Sequence, residues 1–283
     1  MKVLVTGASG FIGSCVCESL NEQGIEFIKG TRENFDLNDA ESMSEFLNDN
    51  QITHVIHLAA RADSSDKEVL FTSNIEGLYK LLIALKASGV KHLTFAAANN
   101  VYGEESEELI NENYSSCPSV ANPYALSKYV GELMIADKLS DTDMKYVLLR
   151  VSDVYGPGQR FGNLIKAIVK SVQEKGTLKL YGEGKRTRDF IYVKDVADGM
   201  VFSCVNELHG VYNLSTGVGT DVRTLVDIAV GISGGECQVE KIDVKNEDTS
   251  KIVLDSQKIK TAGFTAKYSV EEGLRNCVEK VLL

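Results

Sequence analysis

The 283-residue sequence contains no apolar run approaching the roughly twenty residues that a membrane-spanning helix needs. It also has no CxxC pair. Its six cysteines, Cys15, Cys17, Cys117, Cys204, Cys237 and Cys277, are scattered as reduced, mostly buried thiols would be, and they offer no disulfide framework. Histidine is scarce, with four in the chain. His54 and His57 stand three apart in a run read as a strand, where odd spacing turns them to opposite faces, and no metal site is expected. His92 and His209 are read as turn and surface residues. Positive charge is in deficit: 30 Lys and Arg face 40 Asp and Glu, a formal net charge of −10. That balance argues against a nucleic-acid partner or an anionic membrane surface, so any anionic ligand must be met by a local basic cluster. Repeats, low-complexity tracts and linkers are absent. The N-terminus enters a strand at once, so no signal peptide is expected and the protein should be cytoplasmic.

The opening MKVLVTGASGFIGS runs a short apolar segment straight into Gly7, Gly10 and Gly13. A turn leaving a buried strand needs a residue without Cβ, and the backbone must approach a pyrophosphate closely. The helix that begins near Phe11 and Ile12 aims unpaired N–H groups and its positive dipole end at the anion. The spacing is GxxGxxG, one residue longer between the first two glycines than the usual dinucleotide fingerprint. Downstream, β-branched runs at 2–6, 26–29, 54–57, 93–97 and 146–149 alternate with helical patterns at 11–23, 40–49, 68–88 and 124–139. The alternation implies an α/β fold: a Rossmann-type doubly wound parallel sheet over residues 1–155, then a smaller C-terminal α/β substrate-capping region over 156–283. The two parts are expected to pack as one body, with helices near 163–174 and 193–206 in the later half.

Asn122-Pro123-Tyr124-Ala125-Leu126-Ser127-Lys128 places a phenol and an ammonium four residues apart just inside a helix, hence on one face. A Lys beside a Tyr favours the phenolate, so the phenol pKa is expected to fall from about 10 toward neutrality, fitting Tyr124 to exchange a proton with an alcohol or sugar oxygen.

These motifs, with HVIHLAA (His54 to Ala60), NIEGLYKLL (Asn74 to Leu82), NNVYGE (Asn99 to Glu104), LRVSDVYGPGQ (Leu149 to Gln159) and YGEGKRTRDFIYVKDVADGM (Tyr181 to Met200), resemble the extended short-chain dehydrogenase/reductase family. That branch contains nucleotide-sugar epimerases, dehydratases and 4-keto reductases, and the resemblance runs along almost the whole chain. It implies that Tyr124 is the catalytic acid/base and that Lys128 both tunes it and holds the nicotinamide ribose. It further implies that Asp36 and Leu37 bracket the adenine and that Leu58, Ala59 and Ala60 pass under the pyrophosphate. A homodimer formed through helices that include the Tyr124 segment is expected on the same ground.

The end of the second strand reads Gly30-Thr31-Arg32, with no acid at the tip to bind a ribose 2′-OH. Thr31 and Arg32 suit a 2′-phosphate, so NADP(H) is favoured, while Glu33, one residue on, keeps NAD(H) open. For the substrate, Arg188 stands where the family grips a nucleotide diphosphate, and Asn163 and Tyr181 where it contacts base or phosphates. Lys185 and Arg186 are read as solvated. Three departures stand out. Ala98 occupies the place of the family's Ser or Thr hydroxyl, and Asn99 and Asn100 replace the acid pair of 4,6-dehydratases. An asparagine side chain, or a water it holds, is expected to stand in for the missing hydroxyl, whereas dehydration is not expected. Asp153 replaces the usual Asn beside the diphosphate, where a carboxylate repels phosphate unless paired. The expected activity is oxidoreduction at C4 of a nucleotide-diphosphate sugar, foremost the reduction of a 4-keto-6-deoxyhexose. The alternatives are a 4-epimerase with retained NAD and a catalytically silent nucleotide-sugar or NAD(P)-binding protein.

Overall fold

The computed structural model describes residues 1–62, 66–103, 109–116, 118–159 and 163–281, with the side chains of Asn163 and Val281 left aside. Two compact units divide the chain. The first comprises Met1–Gly103, Glu112–Val151 and Ala197–Leu214, and the second Glu104–Asn111, Ser152–Val196 and Ser215–Leu283. The chain therefore leaves the first unit near residue 151 and returns to it for Ala197–Leu214.

In the first unit, the strands β1 (Lys2–Thr6), β2 (Glu26–Gly30), β3 (His54–His57), β4 (His92–Ala98) and β5 (Lys145–Val151) are joined by Gly210–Leu214 in one sheet. Its order is β2-β1-β3-β4-β5 followed by Gly210–Leu214, and every pairing is parallel. The returning segment thus supplies the sixth strand. Parallel strands need crossovers, here the helices α1 (Phe11–Glu22), α2 (Ala40–Asp49), α3 (Lys67–Phe71), α4 (Gly77–Lys86) and α5 (Pro123–Leu139). This is the Rossmann-type architecture that the alternating pattern implies. Between α3 and α4 lies one π-helical turn, Thr72–Glu76, so the single helix read over 68–88 is interrupted. The two central strands β3 and β4 are buried throughout, and their apolar residues pack with Leu78, Leu81, Leu82 and Leu85 of α4 and Ile135 and Leu139 of α5.

His92 is not the turn residue that the sequence suggested. It opens β4, in register with His54, and is fully buried. Its Nε2 lies 2.9 Å from the carbonyl oxygen of Leu208, a bond that lets a strand interior hold an imidazole. His209 is exposed, as read.

In the second unit, Thr187–Tyr192 is the hub strand. It pairs antiparallel with Gly219–Asp221 and parallel with Asp153–Tyr155 and Lys251–Ile252. Gln238–Ile242 and Thr177–Tyr181 form a separate parallel pair. The helices Asn163–Gln173, Val222–Ile232 and Val270–Val281 contribute Ile165, Ile168, Leu225, Val226, Leu274 and Cys277 to a core around Tyr155. A Cβ on Gly273 would stand 2.0 Å from the Tyr155 hydroxyl, so glycine is what admits that ring.

Candidate functional site

The first unit carries the glycine loop. Gly7 has φ +67. A Cβ there would stand 2.7 Å from the Ala59 nitrogen, so glycine lets the loop after β1 lie against the loop after β3. A Cβ on Gly13 would stand 2.1 Å from the Gly7 carbonyl oxygen, so α1 starts pressed against the turn. Gly10 is exposed, and its Cβ would meet only that same oxygen, at 3.1 Å. No side chain caps α1 at Gly10, so the first-turn N–H groups, those of half-buried Phe11 and Ile12 among them, are left for an anion. A side-chain-free turn, packed tightly against the loop after β3 and ending on an uncapped helix, fits the pyrophosphate of a dinucleotide.

Residues that the sequence did not single out hold this loop. The Thr6 hydroxyl oxygen lies 2.8 Å from His57 Nδ1 and accepts the N–H groups of Leu58 and Ala59, each at 3.3 Å. Asn74, buried in the π-helical turn, accepts the Arg61 N–H at 2.7 Å and donates to the Arg61 carbonyl at 2.9 Å and the Ser127 hydroxyl at 3.0 Å. One amide thereby ties the strand-end loop carrying Leu58, Ala59 and Ala60 to α5. The irregular turn that presents it is the structural signal, because π turns concentrate at functional sites.

At the tip of β2, Gly30 is buried against β1, and the acid-free reading of the tip holds. The Thr31 hydroxyl donates to Asn34 Oδ1 at 3.1 Å, so it serves its own loop, while Arg32 is exposed. The Asp36 carboxylate accepts from Asn38, through the backbone N–H at 3.0 Å and the side-chain amide at 2.9 Å. Leu37 is half-buried and packs on Gly77, where a Cβ would lie 3.4 Å from it.

Helix α5 starts where the sequence places it: Asn122 accepts the Ala125 N–H at 3.0 Å and Pro123 opens the first turn. Tyr124 is half-buried and Lys128 is 4% exposed. The Lys128 ammonium donates to the Ala96 carbonyl at 2.7 Å and lies 4.8 Å from the centroid of the Phe95 ring and 5.8 Å from that of Tyr124. The expected lowering of the Tyr124 pKa is not what this geometry gives. Burial pushes the phenol up to about 12, with the ammonium 5.8 Å from the centroid of its ring. Burial also lowers Lys128 to about 8, against the opposing pull of Glu132. Ala98 ends β4 with its methyl buried, and the 3₁₀ turn Asn99–Tyr102 follows, with Asn99 6% exposed and Asn100 half-buried.

The second unit carries Arg188, Asp153 and Tyr181. The half-buried Arg188 donates through Nη1 to the carbonyls of Thr187 and Ser250, both at 2.8 Å, and through Nη2 to the Ser250 hydroxyl at 2.8 Å. Its pKa is lowered by burial and by Arg186, while the carboxylates of Asp153 and Asp248 pull the other way. Asp153 thus has a cation in range, which answers the repulsion its charge would otherwise bring. Ser250 orients Arg188 from 62 residues away, a role that sequence spacing does not disclose. Arg186 faces Asp248 at 3.5 Å, and Glu247 accepts the N–H groups of Glu183 at 3.0 Å and Lys185 at 2.9 Å. Tyr181 is 57% exposed on the outer pair of strands, and the Asn163 side chain lies outside the described residues.

The family model "NAD dependent epimerase/dehydratase family" matches residues 3–215. The chain belongs to that family. Similar proteins include a putative UDP-glucose 4-epimerase of Methanocaldococcus jannaschii, 29% identical over 98% of this chain and 97% of the relative. The UDP-glucose 4-epimerase of Thermus thermophilus, solved with NAD, is 32% identical with a TM-score of 0.84, covering 99% of this chain and 98% of that one. The UDP-glucose 4-epimerase of Thermotoga maritima, solved with UDP-glucose, is 29% identical with a TM-score of 0.86 over 100% of both chains. An NAD dependent epimerase/dehydratase is an enzyme, and the Thermus relative holds NAD. The NADP(H) preference read from Thr31 and Arg32 finds no support in these relatives. Among the described residues, no helix is long and apolar enough to cross a membrane, and no group of three or more His, Cys, Asp or Glu is placed to hold a metal ion.

Proposed function

We propose that this enzyme is an NAD-dependent nucleotide-sugar 4-epimerase. The observation that carries the proposal is likeness over the full length of both chains to 4-epimerases, one of which was solved with NAD and another with UDP-glucose. This favours the epimerase over the 4-keto reductase. Asn99 and Asn100 argue against dehydration, since an amide is neither a base nor an acid at neutral pH.

In this reading Gly7, Gly10, Gly13, Phe11 and Ile12 hold the pyrophosphate on backbone N–H groups, with Leu58, Ala59 and Ala60 beneath it, Asp36 and Leu37 at the adenine, and Lys128 at the ribose. NAD, when bound, supplies a two-electron acceptor and a positive charge. Tyr124 takes the proton of the sugar 4-hydroxyl and returns it once the configuration at C4 is inverted. A phenol held near 12 is protonated at neutral pH, so Tyr124 awaits added positive charge before it acts as a base. Asn99 or Asn100 replaces the donor missing at Ala98, and Arg188 grips the diphosphate.

The enzyme is further proposed to be a homodimer. Tyr79 and Ile83 of α4 and Leu133 of α5 are 43%, 46% and 54% exposed, and the ammonium of Lys138 on α5 over the Tyr79 ring shows that the two helices adjoin. Ile83→Asp with Leu133→Asp should yield a monomer by sedimentation, and an unchanged oligomeric state would refute this surface. None of the five described cysteines is in a disulfide, which suits a cytoplasmic setting.

The deciding assay incubates the purified protein with UDP-glucose or UDP-galactose and NAD and follows C4 inversion by proton NMR. Interconversion of the pair is expected. If inversion is absent and NADPH is instead consumed with a nucleotide 4-keto-6-deoxyhexose, the reductase reading replaces it.

A further inference from the structure

Tyr124, Lys128 and Glu132 follow one another at four-residue intervals and so share one face of α5. Glu132 and Arg150, 4% and 6% exposed, form a buried ion pair: Arg150 Nε donates to Oε1 at 3.0 Å and Oε2 at 3.3 Å, and Nη2 donates to Oε2 at 2.6 Å. The Arg150 guanidinium also lies 4.6 Å from the centroid of Tyr102, whose hydroxyl donates to Asn213 Oδ1 at 2.8 Å. Tyr102 closes the 3₁₀ turn that carries Asn99 and Asn100. One charged cluster therefore clamps α5, β5 and that turn together.

Stability alone is a weak reason for such a pair. Taking two charges out of water costs about as much as their attraction returns, and a shape-matched apolar pair is often equally stable. Here Arg150 Nη1 is also buried without a hydrogen-bond partner among the described residues, which adds to the cost. Resting on the epimerase reading above, the geometry points to a functional use: Glu132, braced by Arg150 and Tyr102, is a positioning residue that keeps the Lys128 ammonium charged and fixes the Tyr124–Lys128 face relative to the Asn99–Tyr102 turn. Among the described residues Lys128 otherwise faces Tyr124 on its own helix, the Phe95 ring and Ala96 carbonyl of β4, and the neutral His57 of β3. Among the described residues Glu132 is the carboxylate that acts on it, from one turn further along the same buried helix face, and it opposes the downward pull of burial. Arg150 stands beyond Glu132 and donates to both of its carboxylate oxygens, and Tyr102 and Glu112 are the charged or titratable groups that act on that side of the cluster among the described residues.

The test titrates the Lys128 side chain by NMR in lysine-labelled full-length protein, with the signal assigned by its loss in Lys128→Met. Glu132→Gln should lower the midpoint by a pH unit or more. Glu132→Asp, which restores charge at a shorter reach, should recover most of the shift. If Glu132→Gln fails to fold, Glu132→Gln with Arg150→Gln buries no unpaired charge and should move the midpoint in the same direction. An unchanged midpoint in the folded variant overturns the proposal. Turnover of UDP-galactose supplies the second readout: the alkaline limb of kcat should move down with the Lys128 midpoint, while KM changes less than threefold. Ile135→Ala, a core substitution on the same helix, should lower thermal stability without moving either pH midpoint, and a matching shift there would also overturn it. The titration does not depend on the sugar, so its result stands apart from success or failure of the epimerase reading itself.

Discussion

Lowering the pH from 7 to 5 should cost this protein about 4 kcal/mol of folding free energy through two histidines that the fold holds neutral. His57 is 3% exposed. Its Nδ1 faces a Thr6 hydroxyl oxygen that already accepts two backbone N–H groups, so the hydroxyl proton goes to His57 and Nδ1 must stay bare. Burial, helped by the Lys128 charge, lowers the His57 pKa to about 3. His92 is fully buried, and burial lowers it to about 4 even though the Leu208 carbonyl favours its charged form. Both native values lie below the unfolded value of about 6.5, so the unfolded chain binds the extra protons. The associated stability is intact above about pH 6.5 and is lost as the pH falls from there toward about 4 for His92 and about 3 for His57. At pH 5 each imidazole is about 1.5 units below its unfolded midpoint, which at about 1.36 kcal/mol per unit gives about 2 kcal/mol apiece. His54, also lowered by burial, acts in the same direction despite Glu207 at 3.4 Å. Carboxylates whose pKa is depressed, such as Glu247 and Asp248, titrate below this window, whereas Asp189, raised by burial, takes up its proton in the folded state and offsets part of the loss, so the His92→Gln difference is the decisive readout. Urea unfolding at pH 7, 6 and 5 measures the slope directly, and His92→Gln, which keeps an N–H for Leu208, should remove about 2 kcal/mol of the change. A loss under about 1 kcal/mol in the parent, or an undiminished slope in His92→Gln, would refute the argument.

Tyr124→Phe should leave NAD affinity within about threefold and cut turnover at least about a hundredfold, as expected for a group that moves a proton mainly in the transition state; near-normal turnover would remove Tyr124 from the chemistry. Gly13→Ala should abolish retention of NAD on gel filtration with a smaller effect on folding, because the new methyl meets the Gly7 carbonyl oxygen at 2.1 Å and the loop must move; retained binding would contradict the cradle. Ala98→Ser should change kcat by less than about tenfold, or about 1.4 kcal/mol, while Asn99→Ala or Asn100→Ala costs more; a hundredfold gain from serine with both asparagines dispensable would show that no substitute donor exists.

Much of this site is local in the chain and therefore legible in it. The glycine loop and the Tyr124–Lys128 pair each lie within seven residues. Their geometry follows from a turn, an Asn-Pro helix start and the pitch of a helix. What escaped the sequence is what crosses the fold. Ser250 orients Arg188, and Asn74 joins the loop after β3 to α5, through bonds whose partners stand 62 and 53 residues apart. His92 reads as a turn residue because Gly89 and Lys91 precede it, yet parallel pairing with His54 draws it into β4.

The same contrast bears on the phenol pKa. Spacing places Lys128 on the face of Tyr124, but it does not say where a four-carbon side chain ends. The ammonium ends on the Ala96 carbonyl and over Phe95, so desolvation rather than the Lys charge sets the state of Tyr124. One sign of the deeper network was nevertheless present. Arg150 falls inside the apolar run YVLLRV, which is a buried strand, and a guanidinium there must find a carboxylate. On α5 the residue one further turn along the Tyr124–Lys128 face is Glu132. A buried arginine on a strand and an acid on the Tyr124–Lys128 face of a helix account for each other once β5 and α5 are packed.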